Sequence, residues 1–135
     1  MVTAAATTLC LSILLGVYML AASVGLFTDP DRGVKLVDDL ERSPGLMYLL
    51  AVVAFTVGAL IILFHNRWTD PLAIIVTLIG WAALIEGLVL LAFPAIWFGL
   101  ARPFMRHLRV FAAVTALCGA ALIIAGLIGR TPPVA

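Results

Sequence analysis

Apolar residues in this chain run on for lengths that no half-buried surface helix requires, and polar residues gather in short clusters between the runs. A membrane-spanning helix takes about 20 mostly apolar residues. Four stretches meet that length: residues 3–27, 44–64, 70–93 and 103–129. The clusters carry helix-start chemistry. Ser43-Pro44 and Asp70-Pro71 each put a capping oxygen before a proline suited to the first helical turn. Thr28-Asp29-Pro30 has the same look and predicts a new helix behind it. In residues 31–42, Val34, Leu36, Val37 and Leu40 fall on roughly one helical face among charges. A helix lying flat at the membrane surface is predicted there. Gly33 weakens its start. Pro94 closes or kinks the third span, and Arg102-Pro103 opens the fourth. Thr131-Pro132-Pro133 ends the chain as an extended tail. The expected fold is all-α, one domain over residues 1–135: an antiparallel four-helix membrane bundle with a short interfacial helix between spans one and two.

Composition agrees with that pattern. Hydrophobic residues make up 64% and charged residues 11% of the chain, and the mean hydropathy is +1.23. Soluble domains carry about 25% charged residues, so lipid is the partner this composition demands. A net charge of +1, with no basic face, argues against nucleic acid. The N-terminal run lacks a basic leader and is longer than a signal-peptide core, so it reads as a retained span. Cys10 and Cys118 stand alone inside apolar runs and read as small buried hydrophobes. With no CxxC or Cys/His cluster, neither a metal nor a cofactor is expected.

Basic residues set the orientation. Arg32, Lys35 and Arg42 lie in the first connection and Arg102, Arg106 and Arg109 in the third, against Arg67 and Arg130 on the opposite side. Connections 28–43 and 94–103 are therefore expected in the cytoplasm, and the termini outside. Small residues recur four apart, as in Ala54/Gly58, Ala83/Gly87 and the row Ala112, Ala116, Ala120. In lipid such rows let backbones approach. A second row on the last span, Ala121, Ala125 and Gly129, predicts self-association. An internal echo is present too: Leu14-Leu15-Gly16 and Pro30 match Leu78-Ile79-Gly80 and Pro94, and residues 59–62 match 121–124. The copies would form a parallel repeat.

Glu86 is the one charge well inside a span. Intramembrane carboxylates mark ion paths, proton relays or paired structural sites. Eight residues before Pro94, it should lie about 12 Å from that helix end. Arg106 and Arg109, one and two turns beyond Pro103, enter from the same surface, so Arg109, then Arg106, is the expected partner of Glu86. Tyr48, Ser23 and His107 complete the expected polar cluster. At the opposite surface, His65 lacks the neighbours a metal site needs. Arg67, Trp68 and, at the other surface, Trp97 suit interfacial anchoring. The scattered hydroxyls Thr7, Thr8, Ser12, Thr56, Thr77 and Thr115 come with no nucleophile motif.

The residues His65-Asn66-Arg67-Trp68, Thr77-Leu78-Ile79-Gly80-Trp81, Glu86-Gly87 and Phe93-Pro94 resemble a group of small, uncharacterised four-span bacterial inner-membrane proteins. That resemblance implies a bacterial plasma membrane. The first span lacks the carboxylate of small multidrug transporters, and the paired polar motifs of glutathione-handling membrane enzymes are missing. The expected function is a non-catalytic membrane protein that self-associates or serves a larger membrane complex. The alternatives are a proton- or cation-linked transporter or channel using Glu86, and an enzyme on lipid or quinone opening beside Tyr48 and Glu86.

Overall fold

The computed structural model describes residues 2–129, with side chains from residue 6 onward. Arg130 and the tail 131–133 lie outside the described residues. Six helices are present among them: α1 (Val2–Thr28), α2 (Arg32–Arg42), α3 (Pro44–Phe64), α4 (Pro71–Ala92), α5 (Pro94–Arg106) and α6 (Leu108–Ile128). Four of these, α1, α3, α4 and α6, are long and apolar enough to cross a membrane. The protein is multi-pass on that ground. The start signals of α3 and α4 work as their chemistry requires. The Ser43 hydroxyl accepts from Leu46 N–H at 3.4 Å, and Asp70 accepts from Ala73 N–H at 2.7 Å.

The long helices form two pairs, α1 with α6 and α3 with α4, and the pairs meet along α1 and α4. Each seam is a stripe at helical spacing: Thr8, Ser12, Gly16 and Ser23 on α1, and Ala112, Gly119, Leu122 and Gly126 on α6. Backbones touch where glycines sit. A Cβ on Gly58 would fall 2.8 Å from the Gly80 carbonyl oxygen, and one on Gly119 would fall 2.9 Å from that of Gly16. Contact order is reversed along the α1/α6 seam. Gly16 meets Gly119 and Ile123, whereas Ile13 and Leu9 meet Gly126. Only small residues allow this approach, which replaces the missing hydrophobic drive in lipid.

α2 and α5 cover one end. Val37, Leu40 and Phe98 are buried together, with Met47, Trp97 and Met105 packed against them. Glu41 and Arg102 form an ion pair across the two helices. Gly33 is required here: a Cβ would fall 2.9 Å from Leu108 and 3.2 Å from the Met105 sulfur.

Three expectations need correction, and one, for Pro94, is extended. Pro30 precedes α2 in a turn, and Asp31 stands at the N-cap without a side-chain bond. Pro94 follows the close of the third span at Ala92, as expected, and also occupies the first turn of a separate helix, α5. Pro103 lies inside α5, so the fourth span begins at Leu108 and not at residue 103. Cys10 and Cys118 are exposed on the outer faces of their helices.

Candidate functional site

The fourth span's later start changes the chemistry expected around Glu86. Arg106 ends α5, His107 is the elbow, and Arg109 sits in the first turn of α6. All three are exposed at the end of the span, not within it. Glu86 is exposed as well, about 9 Å from the end of α4. The reason is angular. Gly80 and Gly87 are buried against α3, and the residue beside Gly87 is turned about 100° away from that seam. Glu86 Oε1 accepts a hydrogen bond from the Trp97 indole N–H at 3.3 Å.

The expected Glu86–Arg109 pair is not formed. Among the described residues, no hydrogen bond or ion pair joins Glu86 to Arg109, Arg106, Tyr48, Ser23 or His107. Tyr48 is exposed on α3. Ser23 is buried and donates to the Met19 carbonyl of its own helix at 2.8 Å, an ordinary back-bond. Of the expected anchors, Trp68 is exposed and donates its indole N–H to Asn66 at 3.0 Å. Arg67 is exposed. Trp97 is half-buried, edge-on to Phe98 with ring centroids 5.2 Å apart.

The buried polar centre lies at the other end of the molecule. His65 is wholly buried at the C-cap of α3, where its N–H bonds the Ile61 carbonyl at 2.6 Å. Thr8 of α1 meets its Nε2 at 2.6 Å, and Thr77 of α4 lies 3.4 Å from its Nδ1. The Thr77 hydroxyl has one proton and two nearby carbonyls, those of Arg67 at 2.9 Å and His65 at 3.1 Å. Its oxygen also accepts from Arg67 N–H at 3.2 Å. Both ring nitrogens therefore have a hydroxyl partner, Thr8 at Nε2 and Thr77 at Nδ1. One ring thus bonds the α1/α6 pair to the α3/α4 pair. Next along α1, Ser12 donates to the Leu122 carbonyl at 2.6 Å.

Weighed only as a metal ligand in a short polar loop, His65 proves to be a buried link between helix pairs. The available signal was a polar side chain toward one end of each of three helices, Thr8, His65 and Thr77. Among the described residues every buried side-chain nitrogen and oxygen has a partner. No three His, Cys, Asp or Glu side chains there are grouped to hold a metal ion. No family model matches the chain, and no curated protein or solved structure is significantly similar to it.

Proposed function

We propose that this chain is a non-catalytic protein of the bacterial inner membrane, an antiparallel four-helix bundle that assembles with a second copy through α4. The observation that carries this reading is Glu86, a carboxylate on the exposed face of a membrane helix with one indole N–H as its partner. Lipid offers such a group no hydrogen bonds, and intramembrane acids face protein or water. The interior of the single chain does not receive it, because the α3/α4 seam is closed by Gly58, Gly80 and Gly87. Two copies related by an axis along the membrane normal bring α4 beside α4 at equal depth. There one Glu86 carboxyl group can donate to the other. In this reading the α2/α5 layer faces the cytoplasm, where the Lys/Arg excess places it.

Native mass spectrometry from mild detergent tests the assignment. The wild type should appear as a dimer, and Glu86→Ala should shift it to monomer. A wild type found only as monomer overturns the reading, as does a stable complex with a different subunit. Proton flux in proteoliposomes that disappears in Glu86→Gln would also overturn it, and would assign the carboxylate to transport.

A further inference from the structure

One residue tethers α5 to a span at each end, Phe93 before it and His107 after it. The helix therefore stays at the membrane surface, and its sides differ sharply. At about 100° per residue, Phe98 and Met105 turn to α2, where Val37 and Leu40 lie. Trp97 turns back along α4, because its indole N–H reaches Glu86, about 9 Å inside the end of that helix. Leu100 and Phe104 lie within about 60° of Trp97, and Ile96 lies about 100° from it, on the side away from Phe98. All three are more than half exposed, as is Phe93. Arg102 and Arg106 lie about 140° and 180° from Trp97, on the opposite edge, where Arg102 pairs with Glu41. Gly99 shares that edge, and Pro103 leaves its carbonyl without a helical donor.

Two cations and a bare carbonyl require water or headgroups, which hydrocarbon cannot replace. They sit on the edge opposite the one aimed back at the span, so the level of α5 follows from its own bonds. We propose that α5 is an in-plane membrane helix. Ile96, Leu100 and Phe104 enter the acyl boundary of the adjacent leaflet, and Arg102 and Arg106 stay among headgroups and water. Helices of this polarity bury their apolar face about 5–10 Å into that boundary. The neighbouring α2 has no comparable face left. Its Gly33, Val37 and Leu40 are buried against the protein, and its exposed side mixes Val34 and Leu36 with Arg32, Lys35, Asp39 and Arg42. Of the two short helices, α5 meets the acyl chains and α2 meets water. The placement does not rest on the dimer at Glu86, and cover of α5 by a second copy is an outcome that its test separates.

Depth-dependent fluorescence quenching in phosphatidylcholine vesicles tests the placement. Cys10→Ala with Cys118→Ala supplies a background without reactive thiols. An environment-sensitive fluorophore is then attached at Leu100→Cys, Ile96→Cys, Lys35→Cys or Leu117→Cys, one position at a time. Leu117, 72% exposed on α6, is the reference for a label in lipid and shows that the chain has inserted. The Leu100 and Ile96 labels should emit to the blue of the Lys35 label. Both should lose intensity to phosphatidylcholine brominated near the headgroup end of its acyl chains, whereas aqueous iodide should quench the Lys35 label alone. Iodide quenching at Leu100 and Ile96 equal to that at Lys35 overturns the proposal. So does protection of both labels from iodide and from brominated lipid alike, which would assign the face to a second copy or another protein.

Discussion

The half of the chain built from α1, α2 and α3 and the half built from α4, α5 and α6 pack by the same contacts and differ in their polar side chains. Each half is a span, a short helix behind a proline, and a second span. Each long helix pairs with one from the other half, α1 with α6 and α4 with α3. The shift that carries Gly16 onto Gly80 also carries buried Ser23 onto buried Gly87. A second shift carries Ala51, Gly58 and Ile61 onto Ala112, Gly119 and Leu122, all buried. Ile123 lies against Gly16 as Ile61 lies against Gly80. Burial follows the 14–30/78–94 match on α1 and α4, whereas the α3 and α6 stripes correspond one residue away from the 59–62/121–124 letters. The same shifts carry His65 onto Gly126 and Ala22 onto Glu86. Backbone approach is common to the halves, and the imidazole and the carboxylate each belong to one.

If shared contacts carry the fold, altering one should cost most. In Gly58→Ala the new methyl would fall 2.7 Å from Leu84 Cα and 2.8 Å from the Gly80 oxygen, so α3 and α4 must separate. Overpacking of this kind costs about 1–3 kcal/mol. Gly119→Ala should act in the same direction but more weakly, because its methyl would meet Gly16 O at 2.9 Å and Leu20 N at 3.1 Å. Reversible unfolding in detergent would measure both. An unchanged Gly58→Ala protein would break the equivalence of the two seams.

How far these features could be read from sequence depends on whether the cause is local. The caps of α3 and α4 were legible because Ser43-Pro44 and Asp70-Pro71 act within one turn. Pro103 misled because a proline after a polar residue looks like a helix start. At a helix interior it leaves the carbonyl of Gly99 without its usual partner, and that carbonyl sits in the exposed α5 layer. Pro94 at the first turn was the true start signal. Glu86 was assigned the right helix and the wrong face. Depth follows from counting residues, whereas the face depends on which small residues meet a neighbour. The seam uses Gly80 and Gly87, seven apart, and that row would have turned Glu86 outward.

His65 tests what the unshared polar groups add. His65→Ala removes the ring that Thr8 reaches and the packing of a wholly buried side chain. Hydrogen bonds between membrane helices contribute about 0.6 kcal/mol on average and up to about 1.7, and the emptied space adds a cavity cost, so a loss of about 2 kcal/mol is expected, comparable to that of Gly58→Ala. Thr8→Val with His65→Ala should then cost less than the two single losses added together, because both delete one bond. Full additivity would mean that the ring does not join the two helix pairs through Thr8.

Glu86→Gln should change the stability of the isolated chain least, by within about 0.5 kcal/mol, as expected for an exposed substitution. The amide oxygen can still accept from Trp97, and no other hydrogen-bond or ion-pair partner is lost among the described residues. Gly126 and Ala22, the counterparts of His65 and Glu86, carry no polar side chain, so both substitutions probe groups that only one half possesses. The contrast between them is therefore the sharpest form of the comparison. Loss of stability at His65, with none at Glu86, assigns the imidazole to holding the pairs together and the carboxylate to contacts outside the chain. A Glu86→Gln protein as destabilised as His65→Ala would mean that the Trp97 bond fastens α5 to α4, and that Glu86 is a structural group after all.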